Sequence, residues 1–256
     1  MSRAAAFTSR NIKELIRDPL SYIFCLGFPI VMLIIMSVVN SSIPPEAGMT
    51  VFRIDNLAGG VAVFGQTFVM LFTALTVAGD RSHSFLVRLY ATPMRSADFT
   101  AGYMLPMLII ALAQNIITYA AAFIISLITG YDLSIGGLLL SVIVNIPSEV
   151  MFIGFGLLFG TILNEKAAPG ICSIIISVGS MLGCIWFDAD SIGGAMLAIC
   201  RCTPFYYCTK CARSAIALDF VSDVFIIPLV IVLCCAVVIA GLAAFTFGRK
   251  MRADLS

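Results

Sequence analysis

LSYIFCLGFPIVMLIIMSVV, residues 20–39, is twenty residues long and carries no charge, and that length identifies the solvent of this chain. A bilayer hydrocarbon core about 30 Å thick needs about 20 apolar residues of helix to cross it. Comparable runs recur at about 58–79, 104–129, 135–160, 167–187 and 224–247. Mean hydropathy is +1.07, and charged residues are 11% of the 256, against about 25% in soluble domains. One soluble core could not hide so much apolar surface. The expected fold is an all-α polytopic membrane protein with six transmembrane helices, a single transmembrane domain over residues 1–256.

The polar segments between the runs are too short for a soluble domain, so any soluble function must come from another chain. Residues 1–18 are polar and basic and the first run lacks a small-residue cleavage site, so a cleaved signal peptide is not expected. Six spans place both termini on one side. With the termini inside, Arg3, Arg10, Lys13, Arg17, Arg81, Arg88, Arg95, Lys166, Arg249, Lys250 and Arg252 are cytoplasmic, and only Arg53, Arg201, Lys210 and Arg213 are outside. Eleven against four selects that orientation under the positive-inside rule, so both termini are expected to be cytoplasmic.

Residues 2–18 read as an amphipathic helix, with Arg3, Arg10, Lys13 and Arg17 on one arc and Ala4, Ala5, Thr8, Ile12, Leu15 and Ile16 opposite. Beside a membrane span, this pattern fits an interfacial helix whose basic groups face lipid phosphates; the alternative is an ordinary solvated helix. Asp18-Pro19 breaks it, because proline disfavours a helical residue before it. Residues 80–100 form the longest polar cytoplasmic segment, amphipathic through Phe85, Leu86, Leu89 and Tyr90, with Thr92-Pro93 as an N-cap and first helical residue. A tight outer turn is expected around Gly130-Tyr131-Asp132. Residues 190–220 contain two short apolar runs, 192–199 and 212–218, separated by Pro204. They read as a re-entrant outer hairpin between spans five and six; the rival, a seventh span, would place Arg249-Lys250 outside.

Catalytic constellations are missing. There is one histidine, His83, which reads as a surface residue, and there is neither a GxSxG nucleophile elbow nor a GxxxxGK[ST] phosphate loop. The chain is not expected to be an enzyme or to hold a cofactor. Cys200, Cys202, Cys208 and Cys211 cluster without zinc-knuckle spacing; free thiols, disulfides and a metal remain open for them. Glu149 is the one ionisable residue well inside a span, where a carboxylate costs about 2.5–3.5 kcal/mol on insertion scales. Asn145 lies one turn earlier on the same face, and Pro147 loosens the backbone between them. The pair is either part of a polar translocation path or an interhelical contact. Gln66, Gln114 and Asn115 read as packing amides. Gly156/Gly160 and Gly179/Gly183 are small-xxx-small pairs that permit close helix approach.

Three stretches carry a family resemblance. RDPLSYIFCLGFPIVMLIIM (17–36), GDRSHSFLVRLYATPMRSADFTAGYML (79–105) and CTPFYYCTKCARSAIALDF (202–220) are similar, in order, to the opening, the post-span-two segment and the outer hairpin of the membrane subunit of type-2 ATP-binding-cassette exporters, including bacterial drug and antibiotic exporters. Asp80-Arg81, Arg88-Leu89, Thr92-Pro93, Pro204, Tyr206 and Arg213 stand at matching places. Asp80 and Ser84 depart from the glutamate and glycine often found there. The resemblance covers nearly the whole chain. It implies a permease subunit driven by a separate ATPase that holds the ATP and Mg, docked on a coupling helix at about 80–94. Phe85, Leu86, Leu89 and Tyr90 would be buried anchors, Arg81 and Arg88 would pair partner carboxylates, and Thr92 and Pro93 would shape the segment. It further implies a permease homodimer or heterodimer working by alternating access. The substrate would be hydrophobic or amphipathic (a drug, antibiotic, lipid or peptide); no basic groove suggests an anionic polymer, and no nucleic-acid partner is expected. Rival classes are an ATP-independent secondary transporter, for which repeats or paired broken helices are missing, and a channel subunit.

Overall fold

A computed structural model describes residues 3–44, 49–82 and 96–253. Every regular element among the described residues is helical. α1 is Arg3–Ile16, α2 Pro19–Ser42, α3 Ile54–Ser82 and α4 Ser96–Thr129. α5 (Ile135–Val144) and α6 (Ile146–Ile162) are two halves of one apolar rod, and α7 is Ala168–Leu182. Three shorter helices follow, α8 (Ala189–Ile192), α9 (Gly194–Arg201) and α10 (Pro204–Ala217), and α11 is Ile227–Ala253. Among the described residues, five helices are long and apolar enough to cross a membrane: Pro19–Ser42, Ile54–Ser82, Ser96–Thr129, Ile135–Ile162 and Ser222–Lys250.

The run at 167–187 forms a shorter helix than its hydropathy suggests. α7 has 15 residues, about 22 Å of rise. It ends in a Schellman motif: Cys184 N–H bonds the Met181 carbonyl at 3.0 Å, Ile185 N–H bonds the Ser180 carbonyl at 3.3 Å, and Cys184 takes φ 56°. The same device closes α4 at Gly130, φ 71°, with Tyr131 N–H on the Ser126 carbonyl, where the sequence places a tight turn.

Prolines explain the irregular turns inside the long helices. A proline donates no hydrogen bond and its ring crowds the carbonyl four residues back. Pro29 follows a π turn at Ile23–Gly27, Pro228 follows another at Ser222–Ile226, and Pro147 follows the interruption at Asn145.

α3 is the central helix. Its most apolar window is 83% buried, against 17% for the windows of α2 and α11, which therefore lie at the periphery with apolar faces outward. α3 packs against α2, α4, α6, α7 and α10. Its contact with α6 is a glycine seam. A Cβ at Gly160 would stand 2.6 Å from the Ala74 carbonyl oxygen, and one at Gly156 would stand 2.6 Å from Thr73 Cβ and collide with the Met70 carbonyl. The other small pair, Gly179/Gly183, accommodates Phe205 of α10.

α1 packs one stripe of its surface on the bundle. Its buried stripe is Phe7, Asn11 and Leu15, rotated toward the basic arc, because α1 docks on α4. Phe7 meets the rings of Phe99 and Tyr103 at 5.5 and 5.1 Å and covers Gly102, where a Cβ would collide with it. The region at 190–220 forms α8, α9 and α10. α10 exceeds the apolar run 212–218 because its polar residues find protein partners: Tyr206 donates to Asp190 at 2.8 Å, and Arg213 donates to the Asn56 carbonyl at 3.0 Å.

Candidate functional site

Three helices contribute buried polar side chains at neighbouring positions. Gln66 comes from α3, Gln114, Asn115 and Tyr119 from α4, and Ser148 and Glu149 from α6, with Asn145 at the joint between α5 and α6. One-turn spacing puts Asn115 and Tyr119 on one face of α4, and Asn145 and Glu149 on one face of their rod. Gln66, Gln114, Asn115 and Glu149 all have 0% exposure. Asn115 Nδ2 donates to Glu149 Oε1, while Asn145 Nδ2 donates to Asn115 Oδ1 at 3.2 Å and to the Tyr119 hydroxyl oxygen at 2.7 Å. Ser148 Oγ donates to Gln66 Oε1 at 2.7 Å. Three of their atoms are buried without a partner: Glu149 Oε2, Gln66 Nε2 and Gln114 Oε1. Each such orphan costs about 1–3 kcal/mol, so these groups are held by the helices around them.

The structure thus joins Glu149 and Asn145, and adds Asn115 as the bridge between them. Of the three amides read separately as packing, Asn115 and Gln66 join one constellation with Ser148 and Tyr119, while Gln114 bonds the Ala62 carbonyl and Thr118. The signal in the sequence was the four-residue spacing from Asn115 to Tyr119, parallel to that from Asn145 to Glu149.

A second constellation sits at the end of α3, where the polar segment begins. Asp80 accepts a forked pair from Arg10, at 2.7 and 3.0 Å, and a hydrogen bond from the Tyr103 hydroxyl at 2.7 Å. Arg10 also meets Glu14 at 2.8 Å, and Asn11 Nδ2 donates to the Gly102 carbonyl at 2.9 Å. Burial pushes the Glu14 carboxyl above its ordinary value; Arg10 opposes that shift and Asp80 adds to it. Asp80→Asn removes the charge that holds Arg10. The expected loss is about 1–2 kcal/mol, in the range of hydrogen bonds to charged groups after allowance for partial exposure. It should release α1, detected as faster tryptic cleavage after Arg10 and Lys13 in detergent; unchanged cleavage would dismiss the clasp.

Arg81 points the other way. Its Nη1 donates to the Gly160 and Leu163 carbonyls at 3.2 and 3.3 Å and to that of Thr161, so its cation sits on the C-terminal turn of α6, where helix dipoles favour positive charge. Ser82 Oγ donates to Glu165 Oε2 at 2.6 Å. Phe85, Leu86, Arg88, Leu89, Tyr90, Thr92, Pro93 and His83 lie outside the described residues.

The four clustered cysteines occupy different surroundings. Cys200 packs with Cys184 and Tyr206, Cys208 with Met151 and Phe152, Cys211 with Val144 and Ala215, and Cys202 is exposed. All nine cysteines are free thiols, and no group of three or more His, Cys, Asp or Glu suited to a metal occurs among the described residues.

The family model of the ABC-2 type transporter matches residues 3–217. No curated protein matches the chain.

Proposed function

Because the chain belongs to the ABC-2 type transporter family and is a membrane permease subunit of it, we propose that it is one half of an ATP-driven exporter for hydrophobic or amphipathic substrates. A separate ATPase subunit, holding ATP and Mg, supplies the energy, and two permease chains, alike or similar, alternate between inward- and outward-facing states. In this reading six spans cross the cell membrane, with α7 as the short fifth, both termini are cytoplasmic, and α8–α10 form the re-entrant outer hairpin. The ATPase docks on the segment at about 80–94, with Phe85, Leu86, Leu89 and Tyr90 as anchors, Arg88 as the ionic contact, and Thr92-Pro93 starting the next turn. The layer around Glu149 and Asn145 is assigned to the translocation machinery as the polar joint of the bundle.

The observation that carries this reading is the family match over 3–217. Two features agree with it: the chain contains no phosphate loop, and the end of α3 is clasped on both sides where the docking segment begins. The test is to tag the chain, extract it gently from native membranes and identify what co-purifies in stoichiometric amount. A soluble ATP-binding-cassette protein is expected, lost by at least tenfold in Arg88→Glu, a charge reversal worth about 1.4 kcal/mol or more. A lone oligomer, under conditions that preserve known complexes, would overturn the assignment.

A further inference from the structure

A cavity of about 400 Å³ lies where α1, the start of α2, the last turns of α3 and the first third of α4 come together. That volume falls in the range of small-molecule sites, about 300–1,000 Å³. Leu15, Leu20, Phe72, Leu75, Pro106 and Met107 make much of its wall apolar. Glu14, Asp18 and Asp80 bring three carboxyl groups to the same wall, and its described lining holds no basic residue. Arg10, beside the cavity, binds Asp80 and Glu14. Asp18 accepts from neutral donors, the Leu20 N–H at 3.1 Å and the Ser21 hydroxyl at 2.5 Å. Lys13 and Arg17, the nearest other basic residues along the chain, are exposed. One guanidinium against three carboxyl groups leaves negative charge at the wall. Gly79 also lines the cavity, and a Cβ there would meet nothing within 4 Å. A phospholipid would set its phosphate among these carboxyl groups, like charge against like. The complementary ligand has an apolar body and a positive charge.

We propose that this cavity is a binding site for hydrophobic organic cations, held by the carboxyl groups of Glu14, Asp18 and Asp80 against the apolar wall from α3 and α4. As a substrate class for export this rests on the function proposed above; as a binding site it stands on the cavity itself. In that reading α1 lies on the cytoplasmic side, where the negative surface potential of the leaflet concentrates cations. The site then takes its ligand from the side on which export begins. Asp80 serves twice, as the anchor of Arg10 and as part of the negative wall.

The test is equilibrium binding of radiolabelled tetraphenylphosphonium to the chain, with whatever subunits co-purify, in phosphatidylcholine nanodiscs; empty nanodiscs give the background. Tetraphenylborate, an anion of nearly the same size and shape, is the paired probe. Saturable binding of the cation is expected, with tetraphenylborate competing about tenfold less well. Glu14→Gln combined with Asp18→Asn keeps both side-chain shapes and should weaken the cation about tenfold, the sum of two partly exposed charge contacts. Gly79→Phe should weaken it by a similar factor, about tenfold, by occupying the space. Equal competition by the two ions in the parent chain, a result that needs no variant to fold, overturns the proposal in favour of an apolar groove filled by lipid. Parent-level binding in either variant overturns it by placing the cation elsewhere on the chain. Cation binding of the expected pattern with no ATPase recovered would keep the site and fail the exporter reading. A recovered ATPase without cation binding would do the reverse.

Discussion

Gly156→Val is expected to abolish accumulation of the folded chain, and Gly156→Ala to lower its stability by about 3 kcal/mol, the upper part of the overpacking range. The atoms a new Cβ would meet are Thr73 Cβ at 2.6 Å and the Met70 carbonyl oxygen. A carbonyl on a helix cannot rotate away as a side-chain tip can, so α6 and α3 would have to part. Parting them would open the most buried helix of the bundle and loosen every contact down to Arg81. Gly160→Val should act alike, through Ala74 and Val77. Gly170→Ala is the internal control: nothing lies within 4 Å of its Cβ, and alanine favours helix over glycine by about 1 kcal/mol. Size-exclusion profiles and melting curves in one detergent check the series. Wild-type melting of Gly156→Val would mean that the two helices do not pack through this seam.

The second large effect is expected from Asn115→Leu. Asn115 both donates to Glu149 and accepts from Asn145, and Glu149 Oε2 already has no partner. Leucine would leave a wholly buried carboxyl with neither oxygen bonded, at a cost of about 1–3 kcal/mol, the penalty of a buried polar group left unsatisfied. Glu149→Gln behaves differently. Its amide oxygen can still accept from Asn115, and its NH2 replaces the orphan oxygen, so melting should shift by less than about 1 kcal/mol. Combining Asn115→Leu with Glu149→Leu removes both ends of the bond and should recover part of the loss, a non-additivity of about 0.5–3 kcal/mol. If Glu149→Gln melts normally but stops transport, the carboxyl is functional; if transport and expression both survive, an essential charge there is excluded. Equal stability of Asn115→Leu and the parent would remove the polar layer from the structure's framework.

Much of the fold was legible along the chain because lipid imposes a local rule. A run of about 20 apolar residues must be helical to satisfy its backbone, and five such helices appear near the expected places. Local chemistry was equally readable where partners are neighbours. The break at Asp18-Pro19 separates α1 from α2, and Gly130 turns the chain after α4.

What stayed hidden depends on residues far apart in sequence. The stop of α7 at Leu182 rests on the left-handed conformation of Cys184, which hydropathy does not register. A helical wheel ranks the faces of α1 by polarity, yet it cannot tell a lipid surface from Gly102 and the aromatic rings of α4, so Phe7 and Asn11 were not singled out. Arg10 and Arg81 read equally well as charges for lipid or for a partner. Only the folded chain brings Asp80 to the first, 70 residues away, and the end of α6 to the second, about 80 away. Composition and run length determined that this chain is a helical membrane protein, because burial in lipid is decided residue by residue. Which polar groups serve one another was decided by tertiary structure, because hydrogen-bond geometry exists only after helices such as α3 and α6 have met.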